Sequence, residues 1–263
     1  MLAVDSAKIR YVVNVEKPVT TGRMLPVGQR IYVVGDIHGR LNLLHAMHTA
    51  IDQIELSLAD ADSHELFLGD YVDRGPASAG VIEWLSAPSP QRGRICLRGN
   101  HEWLMQAYLR APDGFEAWRA VGGGDTLVSY GIDRRIWADR SSRTRTWREF
   151  QLAFPQRHQA FLAGLLSFHQ IGDYLFVHAG LRPGLPLGQQ SELDMLWIRS
   201  DFLDSDAEFG MMVVHGHSPA RDVEFRHNRI GVDTGAYATS VLSCVMLERD
   251  QAMVIQVRPE GVA

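Results

Sequence analysis

The segment Ile31-Tyr-Val-Val-Gly-Asp-Ile-His-Gly39 decides how the chain is read. A run of β-branched and aromatic residues breaks abruptly into glycine, an acid and an imidazole, as a buried strand does when it ends in a loop that carries polar chemistry. The pattern recurs. Leu66-Phe-Leu68 leads into Gly69 and Asp70, Ile95-Cys-Leu97 into Arg98, Gly99 and Asn100, Leu175-Phe-Val177 into His178, and Met211-Met-Val-Val214 into His215-Gly-His217. The first three ends, Asp36, Asp70 and Asn100, fall about 30 residues apart, the length of one strand-helix-strand unit, which predicts neighbouring parallel strands.

Between these runs the periodicity changes. From Leu41, apolar residues at Leu44, Met47, Ile51, Ile54 and Leu58 step by three or four, a stripe that covers one face of a sheet. A second helix is predicted over Ser78 to Leu85, stopped by Pro88 and Pro90. From Glu102 to about Ser167 the chain carries Trp103, Trp118, Trp137 and Trp147 and many arginines but few β-branched clusters, which reads as a helical insertion broken at Gly122-Gly-Gly124. Strand character returns in Arg229 to Val232, Val241 to Leu247 and Ala252 to Val257. The expectation is an α/β fold, a layered sandwich with a helical cap near one rim. It spans residues 1–263 as a single domain, with its core at about 28–258 and the insertion at about 102–168.

Composition narrows the classes. The 263 residues are 46% apolar and 22% charged, enough to bury a sizeable core without staples. A formal charge of -5 argues against a protein that grips nucleic-acid backbone. Cys96 and Cys244 each sit in an apolar run and read as core thiols. There is no run of 18 apolar residues and no secretory pattern at the amino terminus, so the expected setting is cytoplasmic, away from membranes.

Ligands in open α/β sheets sit beyond the carboxyl ends of the strands. The ends here offer Asp36 and His38, Asp70 and Asp73, Asn100 and His101, His178, and His215 or His217. Taken singly, each has a bland explanation: Asp36 as a helix cap, or His178 as a hydrogen-bonded core histidine. Five such fragments at five successive ends point instead to a cluster of carboxylate, amide and imidazole ligands. A carboxylate bridging two divalent ions, for which Asp70 is chosen, screens their repulsion at a separation of about 3.5 to 4 Å. The mixed nitrogen and oxygen set suits Mn, Fe, Zn or Co better than Ca, and no thiolate is offered for a closed zinc site.

In order and spacing, Gly35-Asp-Ile-His-Gly39, Gly69-Asp-Tyr-Val-Asp-Arg-Gly75, Arg98-Gly-Asn-His-Glu102, Val177-His-Ala-Gly180 and His215-Gly-His-Ser-Pro219 resemble the signature blocks of the calcineurin-like metallophosphoesterases. The narrower resemblance is to the bacterial and phage type of metal-dependent serine/threonine phosphatase, over about residues 30 to 250. It implies an α/β/β/α sandwich and two divalent metal ions, manganese first, with Fe, Zn, Ni or Co as alternatives. One ion would lie on Asp36, His38 and Asp70, the other on Asp70, Asn100, His178 and His217, with His215 outside the ligand set. His101, oriented by Asp73, would be the general acid, and Arg74, Arg98 and Arg199 would hold phosphate oxygens. The implied reaction is attack of a metal-bridging hydroxide on phosphorus, in line with a leaving group that His101 protonates. The resemblance departs at His178-Ala-Gly180, where eukaryotic members show two glycines, and lacks their long carboxyl-terminal loop at 232–237.

The expected substrate is a phosphoprotein, at serine or threonine and with tyrosine open, or another small phosphorylated molecule. The alternative is a hydrolase of nucleotide phosphoanhydrides such as symmetrical diadenosine tetraphosphate. A non-catalytic phosphate-binding module ranks third, because every residue of the implied site is present. Self-association is left open.

Overall fold

In the computed structural model, residues 2–6 and 9–261 are described. The strands are β1 (Leu2–Ser6), β2 (Ile9–Val15), β3 (Val19–Thr20), β4 (Gln29–Val34), β5 (Asp62–Phe67), β6 (Gly93–Cys96), β7 (Phe168–Ile171), β8 (Tyr174–Val177), β9 (Met212–His215), β10 (Glu224–Phe225), β11 (Arg229–Gly231), β12 (Leu242–Glu248) and β13 (Gln251–Pro259). They form two sheets, one in the order β1-β2-β13-β12-β4-β5-β6 with β3 on β13, the other β10-β11-β9-β8-β7. The expected parallel pairing holds for β4, β5 and β6, and the second sheet carries its own parallel set, β8, β9 and β11.

Alternation along the strands shows how the sheets stack, because successive side chains point to opposite faces. Ile31, Val33, Leu66, Leu68, Tyr174, Phe176, Met212, Val214, Val245 and Leu247 meet between the sheets in one buried cluster. Tyr32, Val34, Phe67, Cys244 and Met246, from the other faces of the same strands, pack under helices α1 (Leu41–Glu55) and α2 (Ser78–Ser86). On the far side, Leu175, Val177 and Val213 meet Met195 of α9 (Glu192–Trp197) and Phe202 of α10 (Ser200–Leu203). The layers are therefore α/β/β/α, as expected. Both cysteines are free, Cys244 buried and Cys96 half-buried.

Two boundaries differ from the sequence reading. Strand β2 pairs with β13 along 11–15 and buries Tyr11 and Val13, so the core sheet extends well before residue 28. Ile9-Arg-Tyr-Val-Val-Asn-Val15 has strand composition but ends in no polar motif, and only the long-range partner makes it core. The helical run starts at Asn100 rather than 102: α3 (Asn100–Arg110), α4 (Phe115–Ala120), α5 (Gly123–Ser129), α6 (Arg134–Ala138), α7 (Arg143–Ala153) and α8 (Gln156–Ala163). Gly99 is its extended N-cap, and Glu102 reaches back to the Gly99 N–H. Trp118, Phe150 and Tyr108 of the insertion join the cluster beneath α1 and α2, so it adds to one outer layer. Among the described residues no helix is long and apolar enough to cross a membrane.

Candidate metal centre

The carboxyl ends of β4, β5 and β6 face those of β8, β9 and β11, and the loops that leave them are stitched together. The Asp70 carbonyl accepts the N–H groups of Ile37 and His38, the His178 carbonyl accepts that of Gly216, and the His217 N–H crosses between the sheets to both carboxylate oxygens of Asp36, at 3.2 and 3.0 Å. His38, Asp70, Asp73, Arg74 and His217 all adopt positive φ, between 44° and 72°. Such conformations cost about 1–3 kcal/mol each outside glycine and persist where the surroundings over-determine them. Gly99 has to be glycine, since a Cβ there would overlap the Asp70 carboxylate.

Side-chain geometry brings together most of the residues singled out from sequence. His38, Asp70 and His101 converge as one potential cation cage, and Asp70, His178 and His217 as a second, with Asp70 common to both. His38 donates Nδ1–H to the Val72 carbonyl at 2.8 Å, and His178 donates Nδ1–H to that of Leu68 at 2.9 Å. Burial lowers both imidazole pKa values, that of His38 to about 3, and lowers His217 to about 2 with His178 adding to the effect. The rings are therefore neutral at pH 7, and the nitrogens left free are lone pairs. His178 Nε2 faces Asn100 Oδ1 at 3.0 Å and Asp70 Oδ1 at 3.4 Å, His38 Nε2 faces Asp70 Oδ2 at 3.6 Å, and buried His217 Nε2 has no hydrogen-bond partner.

Acceptors facing acceptors across a buried gap repel unless a cation lies among them. The carboxylates repeat the signal. Burial, then the neighbouring carboxylates of Asp233 and Asp70, push Asp36 well above the usual range. The donor set fits divalent metal ions.

His101 sits beside this cage. Its Nδ1 lies 2.7 Å from Asp73 Oδ2, and its Nε2 lies 3.2 Å from Arg74 Nη2 and 3.8 Å from Asp70 Oδ2. Burial works to lower its pKa, but Asp70 and Asp73 raise it above the ordinary value. Burial pushes Asp73 up, against hydrogen bonds from His101, Thr126 and Trp118. Arg74 lies over the half-exposed ring of Tyr237, 4.5 Å from its centroid. Arg199 donates to the His217 carbonyl at 3.3 Å, whereas Arg98 donates to Glu192 at 2.8 Å, toward the rim. His215 is buried on the outer face of the second sheet, with its ring 5.1 Å from that of Phe202.

Sequence reading passed over two acids. Asp233 follows the end of β11, so the strand-end rule that found the others also applies to it; burial pushes its pKa to about 6. Glu102 is fully buried and accepts the N–H groups of Asp70, Tyr71, Val72 and Gly99. It is the clamp that shapes the Asp70 loop, though burial and Asp70 raise its pKa to about 8.

Residues 29–242 match the family model described as calcineurin-like phosphoesterase. The chain belongs to that family. It is a metal-dependent phosphatase. It is similar to the asymmetrical bis(5'-nucleosyl)-tetraphosphatase PrpE of Anoxybacillus flavithermus, 21% identical over 77% of this chain and 84% of the relative. It is also similar to serine/threonine-protein phosphatase 2 of Salmonella typhimurium, 28% identical over 82% of this chain and 91% of the relative. Among solved structures, a putative diadenosine tetraphosphatase shares the fold at a TM-score of 0.58, with 19% identity over 85% of this chain and 91% of that one.

Replacing Glu102 with Leu strands four buried N–H donors of the metal-centre loops. Chemical denaturation of the metal-free variant is expected to show a loss of about 3–5 kcal/mol, because several buried donors are left without an acceptor at once. A loss within the range of ordinary surface substitutions would remove Glu102 from this role.

Proposed function

We propose that the protein hydrolyses phosphomonoesters on serine or threonine of phosphoproteins, with a pair of divalent ions, manganese first. One observation carries this reading: a buried imidazole-carboxylate pair, His101 and Asp73, stands at the edge of a cage of acceptors, with an arginine beside it. In the reading, Asp36, His38 and Asp70 hold one ion, and Asp70, Asn100, His178 and His217 hold the other. When bound, the ions supply the Lewis acidity that activates water and screens the charge on phosphate.

The chain's own side chains do the rest. Asp73 fixes the tautomer of His101 by taking Nδ1–H, which leaves Nε2 to carry a proton to the departing oxygen. Arg74 and Arg199 flank the centre on its two sides and orient phosphate oxygens. Arg98 joins them only by exchanging Glu192 for the substrate. A free dianionic phosphate answers the cationic ensemble better than a diester. We place the activity in a reducing, cytoplasmic setting, consistent with two free thiols.

A second reading has its own support. Two half-exposed rings border the centre, Tyr237 against His38 and Trp197 against His217, and both offer stacking faces for nucleobases of a dinucleoside polyphosphate. Relatives named for tetraphosphate hydrolysis share the family. Turnover of phosphoserine, phosphothreonine and phosphotyrosine peptides beside diadenosine tetraphosphate, under one metal, decides between them. Preference for the peptides is expected. Preference for the anhydride by several orders of magnitude reverses the ranking.

Two further outcomes test the roles. Manganese titrated calorimetrically into metal-free protein is expected to reach about two ions per chain, and Asp70→Asn to lower that number, since one residue serves both positions. His101→Asn is expected to reduce kcat on phosphoserine peptide by roughly 10² to 10⁴, with a much smaller loss on p-nitrophenyl phosphate, whose leaving group needs less help. Equal losses on the two substrates would remove the acid assignment.

A further inference from the structure

The helical insertion reaches the proton-donating pair directly. Asp73 is fully buried, and its carboxylate takes more than the His101 contact. The indole Nε1–H of Trp118, in α4, lies 2.9 Å from Oδ2 and 3.1 Å from Oδ1. The Thr126 hydroxyl, in α5, lies 2.6 Å from Oδ1. The same hydroxyl accepts the Asp73 N–H at 2.9 Å and lies 2.9 Å from Ser78 Oγ, which takes that N–H as well at 3.0 Å. Main chain adds to the grip, since Arg74 N–H points to the Gly122 carbonyl at 3.4 Å.

The indole has little freedom. Trp118 is fully buried against Tyr108 and Phe150, and a Cβ on Gly123 would overlap its ring. Gly122, at φ 112°, makes the turn between α4 and α5 that brings Trp118 and Thr126 to the same carboxylate. Glycine is required at both positions, one for backbone conformation and the other for space. The break at 122–124 is therefore the joint that delivers two donors to Asp73.

We propose that Trp118 and Thr126 are positioning residues of the His101–Asp73 pair, so that the insertion governs protonation of the leaving group. The inference rests on the reading of His101 as the acid. A carboxylate with both oxygens committed cannot rotate, and His101, held at Nδ1, keeps Nε2 aimed at the centre. Without these donors, Asp73 turns or gains other partners, and His101 loses its direction while the metal ligands stay in place.

The test uses the manganese-loaded full chain with phenyl phosphate and p-nitrophenyl phosphate. Thr126→Val, close to isosteric, and Trp118→Phe are expected to lower kcat on phenyl phosphate by about 10-fold or more, with little change in KM and a markedly smaller loss on p-nitrophenyl phosphate. Thr126→Ser restores the hydroxyl and the rate. In metal-free protein with 15N-labelled histidine, the Nδ1–H resonance of His101, identified by its absence in His101→Asn, is expected to move upfield in Thr126→Val and return in Thr126→Ser.

Equal losses on both substrates in Thr126→Val, or an unmoved resonance, overturn the inference; Thr126→Val carries it alone should Trp118→Phe fail to fold. If His101→Asn discriminates between the substrates and Thr126→Val does not, the positioning role falls and the acid role stands. If His101→Asn does not discriminate, both fall.

Discussion

Lone pairs forced to face one another underlie this structure. Neutral imidazoles from three loops, the Asn100 amide and the carboxylate of Asp70 are buried with their acceptor atoms inward, a set that is unfavourable in water-free surroundings until a cation joins it. The chain holds it open through contacts outside the cage. Val72 and Leu68 carbonyls fix the ring tautomers, the His217 N–H fixes Asp36, and Glu102 gathers the amides of the Asp70 loop. Each is a hydrogen bond made by main chain, so the loops and their ligands cannot shift separately.

Local strain has the same origin. Residues with side chains at the centre, including Asp70, Asp73, Arg74 and His217, are left-handed, a conformation that glycine would adopt more readily but whose chemistry glycine cannot supply. The two sheets hold it. Their inner faces interdigitate, their strand ends are fixed by parallel pairing on both sides, and the tight turns have no room to relax. Stability in the sandwich is thus used to hold geometry at its edge.

The helical insertion belongs to this economy rather than standing apart from it. Its aromatic residues extend the hydrophobic layer under α1 and α2, and its two glycine-linked short helices each send one side-chain donor, Trp118 and Thr126, to Asp73. Elsewhere around the centre the side chains are less committed: Arg98 is turned to Glu192, and Trp197 and Tyr237 are half-exposed.

Much of this was legible from strand endings alone. Buried parallel strands read as short apolar runs, and polar residues just beyond them have few places to go except a shared site, so Asp36, Asp70, Asn100 and His178 could be named from residue order, while the choice of His217 over His215 needed the family resemblance. Asp233 obeyed that rule and was missed only because its loop lacked a histidine or a repeated motif. Other features had no local signature. Strand β2 becomes core only by pairing with β13, about 240 residues away, and nothing beside Arg98 in the chain foretells Glu192. Trp118 and Thr126 read as an ordinary core aromatic and a helix residue until folding brings them to Asp73. Periodicity and strand ends express short-range sterics and burial, which one segment carries by itself; partners distant in sequence are chosen by packing, which exists only once both sheets and the insertion have closed on one another.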